Sequence, residues 1–373
     1  MAAEAPNIFV TVLAFLTLIG TLVVVHELGH YSVGRWFGVK AEKFSIGFGP
    51  QIWGRVDKRG TLWRIGALPL GGYVQFAGDM NPSSQPDENW HLMPAEERNQ
   101  TFQSKALWKR ALIVFAGPAI NFLFAIVVLS GLLMTYGHPV VEPVVSTVKA
   151  DSPAAQIGLQ AGDRILSVNG KNVEDFFELA REVSVYPDEN VALKFSRDDK
   201  IQTRDVTIAA LIDRDRFGNE SRIGLLGISP IPKVVMKQVG LLEAPVRAVK
   251  ETANIVRLTL KTIGQMISGT RSVKELGGPL KIADMAGEYY SMGLVAFISL
   301  AAMISINLGF MNLLPIPMLD GGHLLLYGIE AVRRRPATPQ VQEWAFRAGF
   351  VMLVGFMLMV TFNDLSSFGL FGR

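Results

Sequence analysis

The chain contains no cysteine, so disulfide bridges and thiolate metal ligands are both excluded. Any metal it holds must rest on nitrogen and oxygen. Charge is also scarce: 18% of the 373 residues are Asp, Glu, Lys or Arg, against about 25% in ordinary soluble domains. The net charge of +3 is too small to point to nucleic acid, and no nucleic-acid partner is expected. Internal repeats and low-complexity segments are missing too. What the chain has in abundance is apolar sequence, 49% of it hydrophobic, which excludes a disordered chain.

The apolar residues are gathered into runs. Asn7 to Val25 is 19 residues without a charge, Ala111 to Met134 is 24, and Gly293 to Leu319 is 27. A membrane-crossing helix needs about 20 such residues, so these three read as spans. Ala348 to Asn363 is 16 residues, extended by Trp344 and Phe346 if Arg347 snorkels to the interface, and reads as a fourth. The first run lacks a basic leader and a small-residue cleavage site. It leads straight into His26, Glu27 and His30, and is read as a retained span.

Basic residues set the orientation. No Lys or Arg precedes Asn7, while 11 lie from Arg35 to Arg110; Arg333, Arg334, Arg335 and Arg347 follow the third run, and only Arg373 follows the fourth. Both basic loops are therefore expected on the cytoplasmic side, with the termini and the long segment from His138 to Met292 outside. The resulting map has residues 1–36 as the first transmembrane helix and 37–106 as a cytoplasmic loop. Residues 107–137 are the second helix, 138–232 an outer domain and 233–291 a helical linker. Residues 292–326 are the third helix, 327–342 a cytoplasmic loop, and 343–373 the fourth helix and tail.

Two connecting regions have character of their own. Thr61 to Ala77 is apolar and rich in β-formers, and Phe44 to Trp53 adds a second such piece, suggesting a β-hairpin that dips into the membrane under protein cover. A free strand edge there could pair with an extended peptide segment; a purely structural hairpin is the alternative. In the outer segment, short alternating runs such as Val191 to Phe195 are separated by turns such as Asn169-Gly170.

The chemistry concentrates in His26-Glu27-Leu28-Gly29-His30, an H-E-x-x-H sequence. On a helix the two histidines share a face and can reach one ion. Glu27 lies about 60° around the helix from His30, placed to take a proton from water rather than to ligate. A hydrolytic zinc site takes three protein ligands and keeps one open position. The soluble metzincin spacing fails, because Trp36 and Val33 stand where His and Gly are required. Asp320 is the better third ligand. It follows Pro315 and Pro317, which stop a regular helix, and by the orientation above it reaches the same leaflet as the histidines. A helix-end turn residue before Gly321-Gly322 is its other reading.

With HELGH at 26–30 and NLLPIPMLDGG at 312–322, the chain resembles the site-2 protease family of intramembrane zinc metalloproteases, and within it the bacterial regulator of sigma-E protease (RseP-like) group. Gly71-Gly72-Tyr73-Val74, Gly117-Pro118-Ala119-Ile120-Asn121 and Gly278-Pro279 support the likeness. The resemblance implies one Zn2+ held by His26, His30 and Asp320, with Glu27 as general base. It also implies that Asn312 positions the substrate backbone, although Asn312 could equally make a helix–helix hydrogen bond. Pro315, Pro317, Gly71 and Gly72 are further substrate-contact candidates. Asn121 is read as a structural helix–helix contact, His323 at most as a neighbour of Asp320, and His91 and His138 carry no role. The implied partners are the lipid bilayer, an upstream site-1 protease, and a transmembrane substrate already trimmed outside: an anti-sigma factor or a signal-peptide remnant. The implied location is the bacterial inner membrane, with the active site near the cytoplasmic leaflet.

The outer domain resembles a PDZ domain through Ser152-Pro153-Ala154-Ala155, Ala161-Gly162-Asp163-Arg164-Ile165 and Val168-Asn169-Gly170. Such domains bind peptides by strand addition. Ile223, Gly224 and Leu225 are the candidate ligand-binding residues, and a non-binding steric gate is the alternative. The expected fold is thus a polytopic α-helical membrane protein of four transmembrane helices, with a membrane-associated β-hairpin region and one extracytoplasmic PDZ-like α+β domain. Two rivals to a protease stand beside it. A membrane-embedded PDZ adaptor would present substrates to another protease without using Glu27. A metal transporter would need acidic residues in several spans, which the uncharged runs lack.

Overall fold

A computed structural model describes residues 7–78, 93–214, 220–273, 276–335 and 338–367. The expectations for His91, for both termini and for residues 336–337 lie outside the described residues. In chain order the elements are α1 (Ile8–Trp36), β1 (Ala41–Val56), β2 (Leu62–Phe76), α2 (Ala95–Arg98) and α3 (Leu107–Tyr136). Then come β3 (His138–Val141), β4 (Val145–Val148), α4 (Pro153–Gln156), β5 (Arg164–Val168), β6 (Lys171–Asn172), α5 (Phe176–Ser184) and β7 (Asn190–Arg197). Next are β8 (Lys200–Thr207), β9 (Ala209–Arg214), β10 (Glu220–Leu225), β11 (Ile228–Pro230) and β12 (Val234–Lys237). The chain closes with α6 (Glu243–Ile267), α7 (Pro279–Ser291), α8 (Leu294–Asn312), α9 (Asp320–Arg333) and α10 (Pro339–Ser367). Two units are distinguishable: 1–129 with 248–252 and 278–362, and 130–247 with 253–277 and 363–373.

The first unit is built from apolar helices. Among the described residues, four helical segments, Ile8–Trp36, Leu107–Tyr136, Leu294–Asn312 and Gln340–Ser366, are long and apolar enough to cross a membrane. They leave Phe9, Leu13, Leu123, Val351 and Phe362 exposed, as helices facing lipid tails do. Helix α1 starts where the Asn7 side-chain oxygen accepts from the Phe9 N–H at 3.0 Å.

The third apolar run departs from expectation. It is not one span over 292–326 but two helices. Helix α8 ends at Asn312, an irregular turn follows, and α9 begins at Asp320. Pro315 and Pro317 supply no N–H to continue the ladder, and Met318 turns the chain at φ +82°. Helix α9 is fastened to α3 through Arg110, which pairs with Glu330 at 2.8 Å and lies 5.0 Å over the Tyr327 ring. The stretch 233–291 also differs from a linker. Its last helix, α7, belongs to the helical unit, where Ala286 packs with Ala14, Leu18, Leu22, Phe297 and Leu300 and Gly287 abuts Thr11.

Strands β1 and β2 pair antiparallel but are bent into more than a hairpin. Phe44 lies opposite both Val74 and Trp63, and Ser45 opposite both Tyr73 and Arg64. The segment around 43–46 is therefore interior, and 72–76 pairs with it along one side. Phe44, Val74 and Phe76 pack with Tyr31, Phe102 and Ile113, which seats this sheet on α1 and α3.

The second unit holds a four-stranded sheet in the order β6-β5-β7-β8, with β11 on β4, β12 on β3 and β10 on β9. Val234 pairs with Val141 and Lys237 with His138, so the strand system runs past residue 232. Ile165, Leu179, Leu193, Phe195 and Ile208 form its core. Two buried carboxylates are tied into it. Asp163 accepts two hydrogen bonds from Arg197, both at 2.7 Å. Glu182 accepts from Lys171 at 2.9 Å and from Arg257 of α6.

Burial alone would raise the pKa of Asp163 and Glu182. Their cationic partners outweigh it and hold both carboxyls below their ordinary range. A depressed folded-state pKa contributes stability that is complete above the unfolded value and is lost as pH falls through the folded one. Thermal unfolding of this unit in the detergent-solubilised chain should therefore drop in midpoint as pH is lowered from 7 to 3. Asp163→Asn should cost about 2 kcal/mol at pH 7 and flatten that dependence. An unchanged pH profile in the variant would show that the Asp163–Arg197 pair does not carry it.

Candidate metal centre

Helix α1 carries His26 and His30 one turn apart, and their Nε2 atoms stand 3.2 Å from each other. The Oδ2 atom of Asp320, at the first position of α9, lies 3.2 Å from His26 Nε2 and 3.5 Å from His30 Nε2. Zinc bonds of about 2.0–2.1 Å in a tetrahedron place ligand atoms about 3.3 Å apart. His30 donates its Nδ1–H to the Ile113 carbonyl at 2.9 Å, which leaves the lone pair on Nε2. Asp320 Oδ2 is buried without a hydrogen-bond donor. With His26 in the tautomer that carries its proton on Nδ1, all three atoms are acceptors, and a cation among them relieves their repulsion. The nitrogen and oxygen donor set, the spacing and the orphaned carboxylate oxygen all fit zinc.

Helix α3 forms the wall behind the imidazoles. Ile113, Gly117 and Asn121 recur every four residues and so share one face. At Gly117 an added Cβ would fall on the His30 ring and 2.9 Å from His26 Cε1, so only glycine leaves space for the pair. On the facing helix Gly29 lies against the Ala116 carbonyl, which lets the two backbones approach closely. Asn121 is fully buried, with its amide 3.1 Å from His26 Nδ1. Sequence reasoning took Asn121 as a helix–helix contact. Its backbone carbonyl does accept from Ser305 of α8 at 2.9 Å, but the side chain addresses a histidine. The signal that could have found it is the 113/117/121 spacing opposite 26/30.

Glu27, His26, His30, Asp320, Asn312 and His323 line one cavity of about 400 Å³, together with Gly71, Gly72 and Tyr73 of β2. Glu27 is 8% exposed, and its carboxylate faces the backbone N–H of Val74. The Asn312 side chain makes no hydrogen bond among the described residues, leaving its amide groups for a ligand. Pro315 and Pro317 do not line the cavity; they shape the turn that brings Met318, Leu319 and Asp320 to it. The His323 ring lies 5.1 Å from Phe346. His138 is elsewhere, pairing with Asp175 at 3.3 Å in the second unit.

In that unit Ile223, Gly224 and Leu225 are committed to a hairpin, opposite Leu211, Ala210 and Ala209. Gly224 abuts the Val183 carbonyl at the end of α5. The Leu226 and Gly227 carbonyls that follow accept from Ala154 and Lys149 N–H groups at 3.0 and 2.9 Å.

Comparison with known proteins shows the family to which the chain belongs. The model of peptidase family M50 matches residues 14–356. A provisionally named zinc metalloprotease of Mesorhizobium japonicum is 44% identical over 95% of this chain and 98% of its own length. Metalloprotease MmpA of Caulobacter vibrioides is 34% identical over 97% of each chain. Among solved structures, the PDZ domain of the SdrC-like protein of Listeria monocytogenes is 26% identical, covering 24% of this chain and 85% of that one at a TM-score of 0.19. Both the cluster of His26, His30 and Asp320 and the break before Asp320 fall inside the matched span, and the chain is a member of peptidase family M50.

Proposed function

We propose that this chain is an intramembrane zinc endopeptidase that hydrolyses a peptide bond within or next to the transmembrane segment of a single-span membrane protein. The observation that carries this reading is the meeting of His26, His30 and Asp320, separated by about 290 residues of sequence, beside Glu27 in one cavity among apolar helices.

A zinc ion held by His26, His30 and Asp320 would acidify water and polarise the scissile carbonyl. Glu27 acts as the base: its carboxylate takes the proton of the attacking water and returns it to the departing amine nitrogen. Asn312 offers two N–H donors and one acceptor oxygen to the substrate backbone. Segment 72–76 of β2 offers an extended edge beside the cavity, suited to a substrate whose helix has unwound.

The substrate is an anti-sigma factor or a signal-peptide remnant, trimmed on the outside by a site-1 protease. The enzyme lies in the bacterial inner membrane, with the cavity toward the cytoplasmic leaflet and the PDZ-like domain in the periplasm. That domain acts as a gate against untrimmed proteins. A gate suits the closed setting of Ile223 to Leu225 better than peptide capture does. The adaptor alternative has no use for a base poised beside three converging ligands.

Glu27→Gln should lower cleavage of a reconstituted transmembrane peptide by about 10³-fold while zinc content by metal analysis stays at wild-type level. A fully active variant would remove Glu27 from the role. Asp320→Ala should abolish zinc retention and cleavage together; one zinc per chain in that variant would break the ligand assignment. A photo-crosslinker at Tyr73 should capture the substrate peptide and one at Val56 should not, and equal capture at both would discard the edge-strand reading.

A further inference from the structure

Each imidazole of the centre presents its second ring nitrogen to α3. For His30 the receiving group is a backbone carbonyl, that of Ile113. For His26 it is a side chain, Asn121, eight residues further along the same face. The residue is 0% exposed. Among the described residues, its amide engages nothing but His26: Nδ2 is the atom nearer the ring, and Oδ1 is buried without a partner.

The two ends of an amide interchange by a half-turn about χ2, and the chemistry of the partner decides between them. When Nε2 of His26 gives its lone pair to a metal, Nδ1 carries the ring proton and is a donor. An amide NH2 cannot accept it. The half-turn sets Oδ1 opposite Nδ1–H and gives the orphaned acceptor its donor. We propose that Asn121 is a positioning residue for the metal centre: its Oδ1 accepts from His26 Nδ1–H, fixing the tautomer and ring orientation that present Nε2 to zinc. The proposal rests on the zinc-site reading above.

Several features hold the amide at its post. The Asn121 carbonyl accepts from Ser305, so α8 pins the backbone at this position. Gly309 of α8 approaches the Asn121 Cβ closely enough that an added Cβ there would sit 3.3 Å away. The side chain therefore has little freedom beyond rotation about its own axis. Acceptors placed behind ligating histidines typically change metal affinity by about 10–100-fold.

The test is zinc affinity of the full chain in detergent, measured by competition with a chromogenic chelator across pH 6 to 8. The variants are Asn121→Leu, Asn121→Asp, Ser305→Ala and His26→Ala. Asn121→Leu, close in shape and lacking an acceptor, should weaken zinc by about 10–100-fold at an unchanged helical signal. Asn121→Asp keeps an acceptor and should bind zinc at least as tightly as wild type. Ser305→Ala removes only the backbone tie and should lower the thermal midpoint while leaving zinc affinity within about twofold.

Wild-type affinity in Asn121→Leu would overturn the proposal. So would equal losses in the Leu and Asp variants, the mark of a packing role. Should Asn121→Leu fail to fold, the Asp variant decides alone: retained zinc supports the acceptor role, and lost zinc refutes it. Wild-type protein that binds zinc no better than His26→Ala would instead sink the zinc site itself, and with it this proposal.

Discussion

Everything at the centre depends on how closely α1 and α3 approach. Two glycines make that approach possible. Gly29 admits the Ala116 carbonyl, and Gly117 leaves a hollow into which both imidazoles fit. A methyl group at either place would push the helices apart or displace a ring. The histidines would then lose the backbone and amide groups that orient them, because those groups sit on the same face of α3 as the hollow. Positioning by packing and positioning by hydrogen bonding are thus one constraint here. The polar atoms are few and buried, and close packing is what brings them into range.

The second requirement is a carboxylate at the same depth, and a continuous helix would not provide it. The chain breaks α8 at Asn312, runs through two prolines and restarts at Asp320. Such a break inside apolar surroundings leaves backbone groups without helical partners, a cost tolerated where they line a cavity or are enclosed by protein. Both conditions hold. Met318 and Leu319 border the cavity, and short turns such as Leu319 N–H to the Ile316 carbonyl at 3.1 Å satisfy part of the freed backbone. The Arg110–Glu330 pair then fixes the direction in which α9 leaves.

The apolar runs were legible from their uncharged length and the H-E-x-x-H pair from its helical spacing, and the structure has a helix long and apolar enough to cross a membrane in each run. Asp320 was legible because the prolines before it announce a break. What the sequence left open were the limits of the break: the third span was drawn over 292–326, because Leu313 to Leu319 is as apolar as a helix would be, whereas α8 ends at Asn312 and α9 begins at Asp320. Helix α7 was read as part of a helical linker; its small residues Ala286 and Gly287, which seat it on α1, are weak signals alone. Asn121 does make the helix–helix contacts read for it, but its particular partner was not legible. A single buried amide in a span has many possible partners, and only the opposing helix says which one it meets. The bent pairing of β1 with β2, in which 43–46 has partners on both sides, depends on bulges that alternation alone does not reveal.

The order in which the ligands leave the ribosome has a consequence of its own. A chain made only as far as α3 carries both imidazoles and the wall behind them, but not the carboxylate that stands beside them in the finished structure. That anion arrives only at residue 320, in the last sixth of the polypeptide. The cluster of His26, His30 and Asp320 can therefore close only after most of the polypeptide has been made.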